Sequence, residues 1–205
     1  VPPVPLPPLE CETGEVSKHD ENREATRAEL IRLGLLRFPA KGFTATSVRE
    51  VLADSGISNG AFYYHFPSKE EYFLAVLEQV ARESGDFAAA ARASDATTLE
   101  GALGELLAAL GENAGLSYAI ADFVYANREN EAFRARIEAV HRFVIDALAA
   151  WNEVQQERGL MRTDRSASEL AEMSFAAVEG HLLHHEVYRT SLGDAVGVAV
   201  RNLQP

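Results

Sequence analysis

A single cysteine, Cys11, stands among 205 residues, so no intrachain disulfide can form. That usage agrees with a reducing compartment, and the fold must rest on its core instead of on bridges. No apolar run approaches the roughly 20 residues that cross a bilayer, so no membrane span is expected. The opening VPPVPLPPLE is apolar but crowded with proline and has no basic leader, unlike a signal peptide. Alternating apolar and polar runs of the kind that form strands are missing. There is no P-loop, dinucleotide fingerprint, CxxC, HExxH or Ser-His-Asp spacing, which argues against an enzyme and against a bound cofactor or metal. Basic residues are scarce as well: 19 Lys and Arg stand against 31 Asp and Glu, a net charge of −12. Taken as a sum this opposes nucleic acid, because phosphate binding rests on a Lys/Arg surplus. Binding depends on where charges sit, however, so their local distribution has to decide.

What is present is helical. Hydrophobic residues make up 47% of the chain, enough for a large core. Residues 1–20 read as a disordered tail, proline-rich and then polar, without periodicity. Residues 21–68 read as a small three-helix unit and 69–205 as a larger helical unit. The first helix carries Leu30, Ile31, Leu33, Leu35 and Phe38 on one face, and Pro39 is expected to close it early. The second starts at Thr46 or Ser47, with Ser47 and Glu50 at capping-box spacing. Gly56 supplies a left-handed end, Ser58 caps a third helix, and Pro67 stops it. Ser68 and Glu71 have capping-box spacing for a fourth helix that runs to about Ser84. Further helices are expected over about 97–111, 115–127, 130–158, 166–189 and 193–203. The long one repeats Phe133, Ile137, Val140, Val144, Leu148 and Trp151 as a buried stripe. The fold class is all-α, an N-terminal three-helix bundle joined to a larger helical domain.

Thr46 to Lys69 organises the rest. Two short helices joined by a Gly-containing turn make a helix-turn-helix, whose second helix enters the major groove of DNA. That helix offers Ser58, Asn59, Gly60, Tyr63, Tyr64 and His65 and contains no Asp or Glu. Arg49 and Lys69 flank it, so the acidic excess lies away from the one surface that would meet phosphate.

Phe38, Gly42, Phe43, Thr46, Ser47, Gly56, the Tyr63-Tyr64-His65-Phe66 run and Lys69 together resemble the DNA-binding domain of the TetR family of helix-turn-helix transcriptional regulators. The resemblance covers about residues 22–77, with Pro39 as a departure. It implies a cytoplasmic homodimer that binds a palindromic double-stranded operator, as a repressor released by a small-molecule effector. It further implies that Thr46 and Ser47 hold phosphate and that Arg49 reaches a base or a phosphate. Asn59, Gly60 and Tyr64 would lie against base edges, while Tyr63, His65 and Lys69 would hold backbone phosphates. Its dimer interface would fall on the last two long helices, at Phe175, Val178, Leu182, Val196 and Val200.

The body suggests less. Tyr118, Phe123, Tyr125, His141, Phe143, Trp151 and His181 are candidate lining for an effector pocket, whose apolar character points to a largely apolar ligand. His181 and His185 share a helix face, and with His184 they leave a metal-responsive regulator open as an alternative. A second alternative is a helical dimer whose helix-turn-helix no longer binds DNA.

Overall fold

Apolar residues three and four apart, with a capping side chain ahead of them, start most of the helices, and tertiary packing decides where they stop. The structure is a computed structural model and describes residues 18–83, 87–110, 114–188 and 193–205. Those residues form α1 (Lys18–Lys41), α2 (Val48–Val51), α3 (Asn59–His65), α4 (Lys69–Glu83), α5 (Phe87–Ala93), α6 (Leu99–Leu110), α7 (Ala114–Ala126), α8 (Glu131–Glu157), α9 (Ala167–Tyr188) and α10 (Gly193–Leu203). The all-α class holds, and no strand occurs among the described residues. No described helix is long and apolar enough to cross a membrane.

Three local expectations are corrected. Pro39 does not close α1 early, and the helix runs on to Lys41. Proline removes only its own N–H, and so near a C-terminus few later bonds depend on it. The Gly42 N–H then closes the turn on the Phe38 carbonyl at 2.8 Å. At α4 only half of the expected capping box forms: Ser68 Oγ accepts the Glu71 N–H at 3.1 Å. The Glu71 carboxylate turns instead to Arg136 of α8, at 2.5 Å. The third miss is α5, whose alanine-rich sequence has little periodicity to read.

Two cores build the molecule. The first joins α1, α3 and α4 to α7 through rings: Phe38 meets Phe73 edge-on at 4.7 Å, Phe62 meets Tyr72 at 5.1 Å, and Phe43 meets Phe123 at 4.8 Å. Gly34 lets α1 and α4 approach closely, because a Cβ there would lie 2.6 Å from Val76 Cγ2. Tyr72 donates its hydroxyl to the Leu30 carbonyl across the same contact, and burial pushes its phenol pKa up. The second core gathers Phe87, Leu99, Leu103, Trp151, Met161, Leu170 and Leu203 from α5, α6, α8, α9 and α10 and the α8–α9 loop. Arg158 ties the end of α5 to it by donating to the carbonyls of Ala91, Ser94 and Ala96. The stripe along α8 is less buried than expected: Trp151 is fully covered, while Phe133, Ile137, Val140, Val144 and Leu148 are half-buried within the chain.

Candidate nucleic-acid interface

Ser47 caps α2. Its Oγ accepts the Glu50 N–H at 3.2 Å, and the Glu50 carboxylate accepts the Ser47 N–H at 2.9 Å, the reciprocal box that the spacing predicts. Lys41 Nζ donates to the other Glu50 oxygen at 2.6 Å. The Lys41 bond first, and then the bonds from Ser47, hold the Glu50 carboxyl down at about 2. After α2 the chain turns through two left-handed residues, Asp54 at φ 64° and Gly56 at φ 72°. Ser58 Oγ then accepts the Ala61 N–H at 3.1 Å and starts α3.

This local chemistry aims α3. Phe62 and Phe66 plug the first core, which rolls the opposite side of the helix outward. Tyr64 is 67% exposed and Tyr63 54%, large values for aromatic side chains. Asn59 and Gly60 are exposed beside them. No acid occurs between Ser55 and Lys69, so the outward surface of α3 carries donors and rings only.

Three side chains take places that sequence alone did not indicate. Thr46 is fully buried, and its hydroxyl donates to the Gly42 carbonyl at 2.7 Å. The phosphate contact expected of its side chain is therefore not available on this surface. Lys69 donates to the carbonyls of Phe43 and Thr46 at 3.0 and 3.1 Å and lies 4.3 Å from the Phe43 ring centroid. Its ammonium thus holds the turn that enters α2. We expect Lys69→Ala to lower stability by about 2 kcal/mol, as when charge-assisted hydrogen bonds to buried carbonyls are removed. Urea denaturation measures this. Unchanged stability, with a DNA-binding salt slope reduced by about one, would return Lys69 to a phosphate role.

The third side chain, Arg27, was not anticipated. Its guanidinium lies 5.0 Å over the Phe66 ring and draws α1 against the end of α3. His65 is pushed below its usual pKa first by burial and then by the positive charges of Arg27 and Arg23. Two arginines one helical turn apart on α1 therefore place positive charge beside the end of α3, although Arg23 is also paired with Asp20 at 3.7 Å. Their four-residue spacing was visible in the sequence, but the packing of α1 on α3 was not. Arg49 is exposed and has no ion pair among the described residues.

The residues proposed for an effector pocket are not brought together. Phe123 is buried in the first core and Trp151 in the second. Tyr118 and Tyr125 face outward on α7, the latter under the Arg128 guanidinium at 5.2 Å. His141 stacks edge-on against Phe175 at 5.2 Å. Phe143 alone lines a cleft, a hollow of about 210 Å³ between α4 and α8 walled by Glu78, Ala81, Arg82, Arg136, Ala139 and Val140. His181 is half-buried on α9. The apolar residues were scattered because each helix turns its rings toward whichever core it seals.

The residues expected at a dimer interface also divide. Phe175 and Val178 are half-buried, whereas Val200 is buried within the second core. The side chains of Leu182 and Val196 lie outside the described residues, as does that of His185. Met173 and Tyr188 add exposed apolar area to α9. His184 is exposed, with its ring 5.2 Å from that of Tyr188. Among the described residues no three His, Cys, Asp or Glu side chains gather as a metal site.

Residues 37–76 match the family of bacterial regulatory proteins called the tetR family. YerO, an HTH-type transcriptional regulator of Bacillus subtilis, is 42% identical over 52 residues, covering 25% of this chain and 18% of that protein. The HTH-type transcriptional repressor KstR2 of Mycobacterium tuberculosis is 44% identical over 45 residues, covering 22% of each. The chain thus spans less than a quarter of the length of either relative. Among solved structures, a transcriptional regulator from Rhodococcus sp. RHA1 superposes with a TM-score of 0.70 at 19% identity, over 87% of this chain and 95% of that one. The reduced form of E. coli NemR superposes with a TM-score of 0.66 at 21% identity, over 87% and 97%. The tetR-family signature thus falls on residues 37–76, and the all-helical fold is shared with these solved regulators over 87% of the chain.

Proposed function

We propose that this protein is a repressor that binds a palindromic operator as a homodimer and leaves it when a small, largely apolar effector enters the body. The observation that carries this reading is the outward, acid-free face of α3 in a chain of net charge −12. The acidic body repels DNA, and one face on each protomer is free to dock. We divide the chain into a reading head over 21–68 and an effector and dimer body over 69–205, residues 1–20 being a tail. Asn59, Gly60 and Tyr64 meet base edges in the major groove, where each base pair shows a distinct pattern. Ser47, Arg49, Tyr63 and His65, joined by Arg23 and Arg27, grip the flanking phosphates and set the register. The second copy packs on α9 and α10, where Met173 and Tyr188 would be covered. The cleft beside Phe143 supplies apolar walls for an effector. Work in the cytoplasm and the absence of catalysis belong to the same reading. The repressor role is supported by the named role of KstR2.

Selection of duplexes from a random pool tests the reading. The expected result is an enriched inverted repeat whose affinity falls steeply as salt rises. A pool with no enriched sequence would instead favour a helix-turn-helix that has lost DNA binding. Light scattering that shows a stable monomer at micromolar concentration would remove the dimer.

A further inference from the structure

α4, the helix that follows the head, is tied to α8, where Arg136 pairs with Glu71 at 2.5 Å and Glu78 at 2.6 Å. A second tie does not involve α4 and reaches the head itself. Asp122, on α7, reaches across to the turn between α1 and α2. One carboxylate oxygen accepts the Thr44 N–H at 2.6 Å and the other accepts the Thr44 hydroxyl at 2.7 Å. Both oxygens are thus spent on one residue, a charge-assisted and directional grip.

The neighbouring contacts make this more than a chance surface bond. Gly42, just before, has φ 84°, and a Cβ there would lie 2.8 Å from Tyr118 Cε1 and 3.1 Å from Asp122 Oδ2. Between them Phe43 stands edge-on to Phe123. Three consecutive turn residues therefore meet Tyr118, Asp122 and Phe123 on one side of α7. Three residues after Thr44, Ser47 caps α2, so little chain separates the grip from the helix-turn-helix. The buried rings hold the turn in place, while the Thr44 bonds lie at the rim of the contact, where Thr44 is exposed and Asp122 half-buried. Their work is directional: rings tolerate sliding, and paired hydrogen bonds do not.

We propose that Asp122 is a positioning residue for DNA recognition, setting through Thr44 the angle at which α2 and α3 stand on the body. The proposal rests on the DNA-binding dimer reading above. Two heads can engage two half-sites at once only if their angle and separation match the duplex, and avidity disappears when they do not. One head on one half-site has no such requirement. The same bonds give α7 a route to α2 that does not run through α4.

The test uses the full chain with Asp122→Ala, and with Asp122→Asn, which keeps one acceptor oxygen. Two duplexes are built from the sequence that the wild-type chain selects, one with both half-sites and one with a single half-site. Asp122→Ala is expected to weaken the two-site duplex about tenfold while changing the single-site duplex less than about twofold, with Asp122→Asn between wild type and alanine. Equal losses on both duplexes, or no loss on either, overturn the proposal. Amide hydrogen exchange without DNA gives a second reading. Thr44 should exchange faster in Asp122→Ala while Phe62, buried in α3, keeps its protection. Unchanged exchange at Thr44, or equal acceleration at Phe62, overturns the proposal too. A wild-type chain that selects no sequence would refute the DNA-binding reading, and the exchange measurement would still decide whether Asp122 holds Thr44.

Discussion

Phe38→Ala is expected to lower the stability of the chain by about 4 kcal/mol, the range seen when a buried phenylalanine is cut to alanine. Phe38 is fully buried and sits where α1, the turn and α4 meet. Its ring touches three others: Phe73 at 4.7 Å, Tyr72 at 5.5 Å and Phe43 at 6.2 Å. These rings belong to different segments, so the cavity cannot close by the shift of one side chain. A typical domain has about 5–15 kcal/mol in total, so much of the margin would go. Urea denaturation at constant slope would report the loss. Phe38→Leu, which refills most of the volume, should lose less than half as much. A loss under about 1 kcal/mol for Phe38→Ala would mean that Phe38 is not the hub of the first core.

Gly60→Glu is expected to do the opposite, leaving stability intact and lowering DNA affinity on the order of a hundredfold, because like charges brought together in an interface cost several kcal/mol. The site has room: a Cβ on Gly60 meets only Ser58 Oγ, at 3.8 Å. A carboxylate in the first turn of α3 also suits the positive end of the helix, so folding gains slightly if at all. The charge would stand beside Asn59 and Tyr64, on the acid-free face. Fluorescence anisotropy on the selected duplex measures the loss, and a thermal melt confirms the fold. Wild-type affinity in this variant would show that α3 is not the reading helix.

The two variants separate what was legible in the sequence from what was not. The caps at Ser47 and Ser58 and the left-handed Gly56 were readable because each acts within about four residues. The outward rings of α3 were readable too, since Phe62 and Phe66 lie on the opposite side of the same helix. The effector pocket was not. Phe123 and Trp151 are equally apolar in sequence, yet they seal different cores because α7 and α8 face different neighbours.

By itself, then, the sequence determined most of the helices, α5 excepted, together with the turn chemistry and the acid-free surface of α3. Periodicity, caps and local charge act over a turn or two of chain. Tertiary structure decided the tasks of individual polar groups. Thr46 turned inward, Lys69 was committed to two carbonyls, Glu71 went to Arg136 in place of its own cap, and Asp122 closed on Thr44. Apart from the Thr46 bond, each of these contacts joins segments far apart in the chain. Each forms only at the distance and angle set by helix packing, which no local pattern specifies. The reading head is written locally, and its attachment to the body is settled where α7, from the middle of the chain, meets α1 and the turn that follows it.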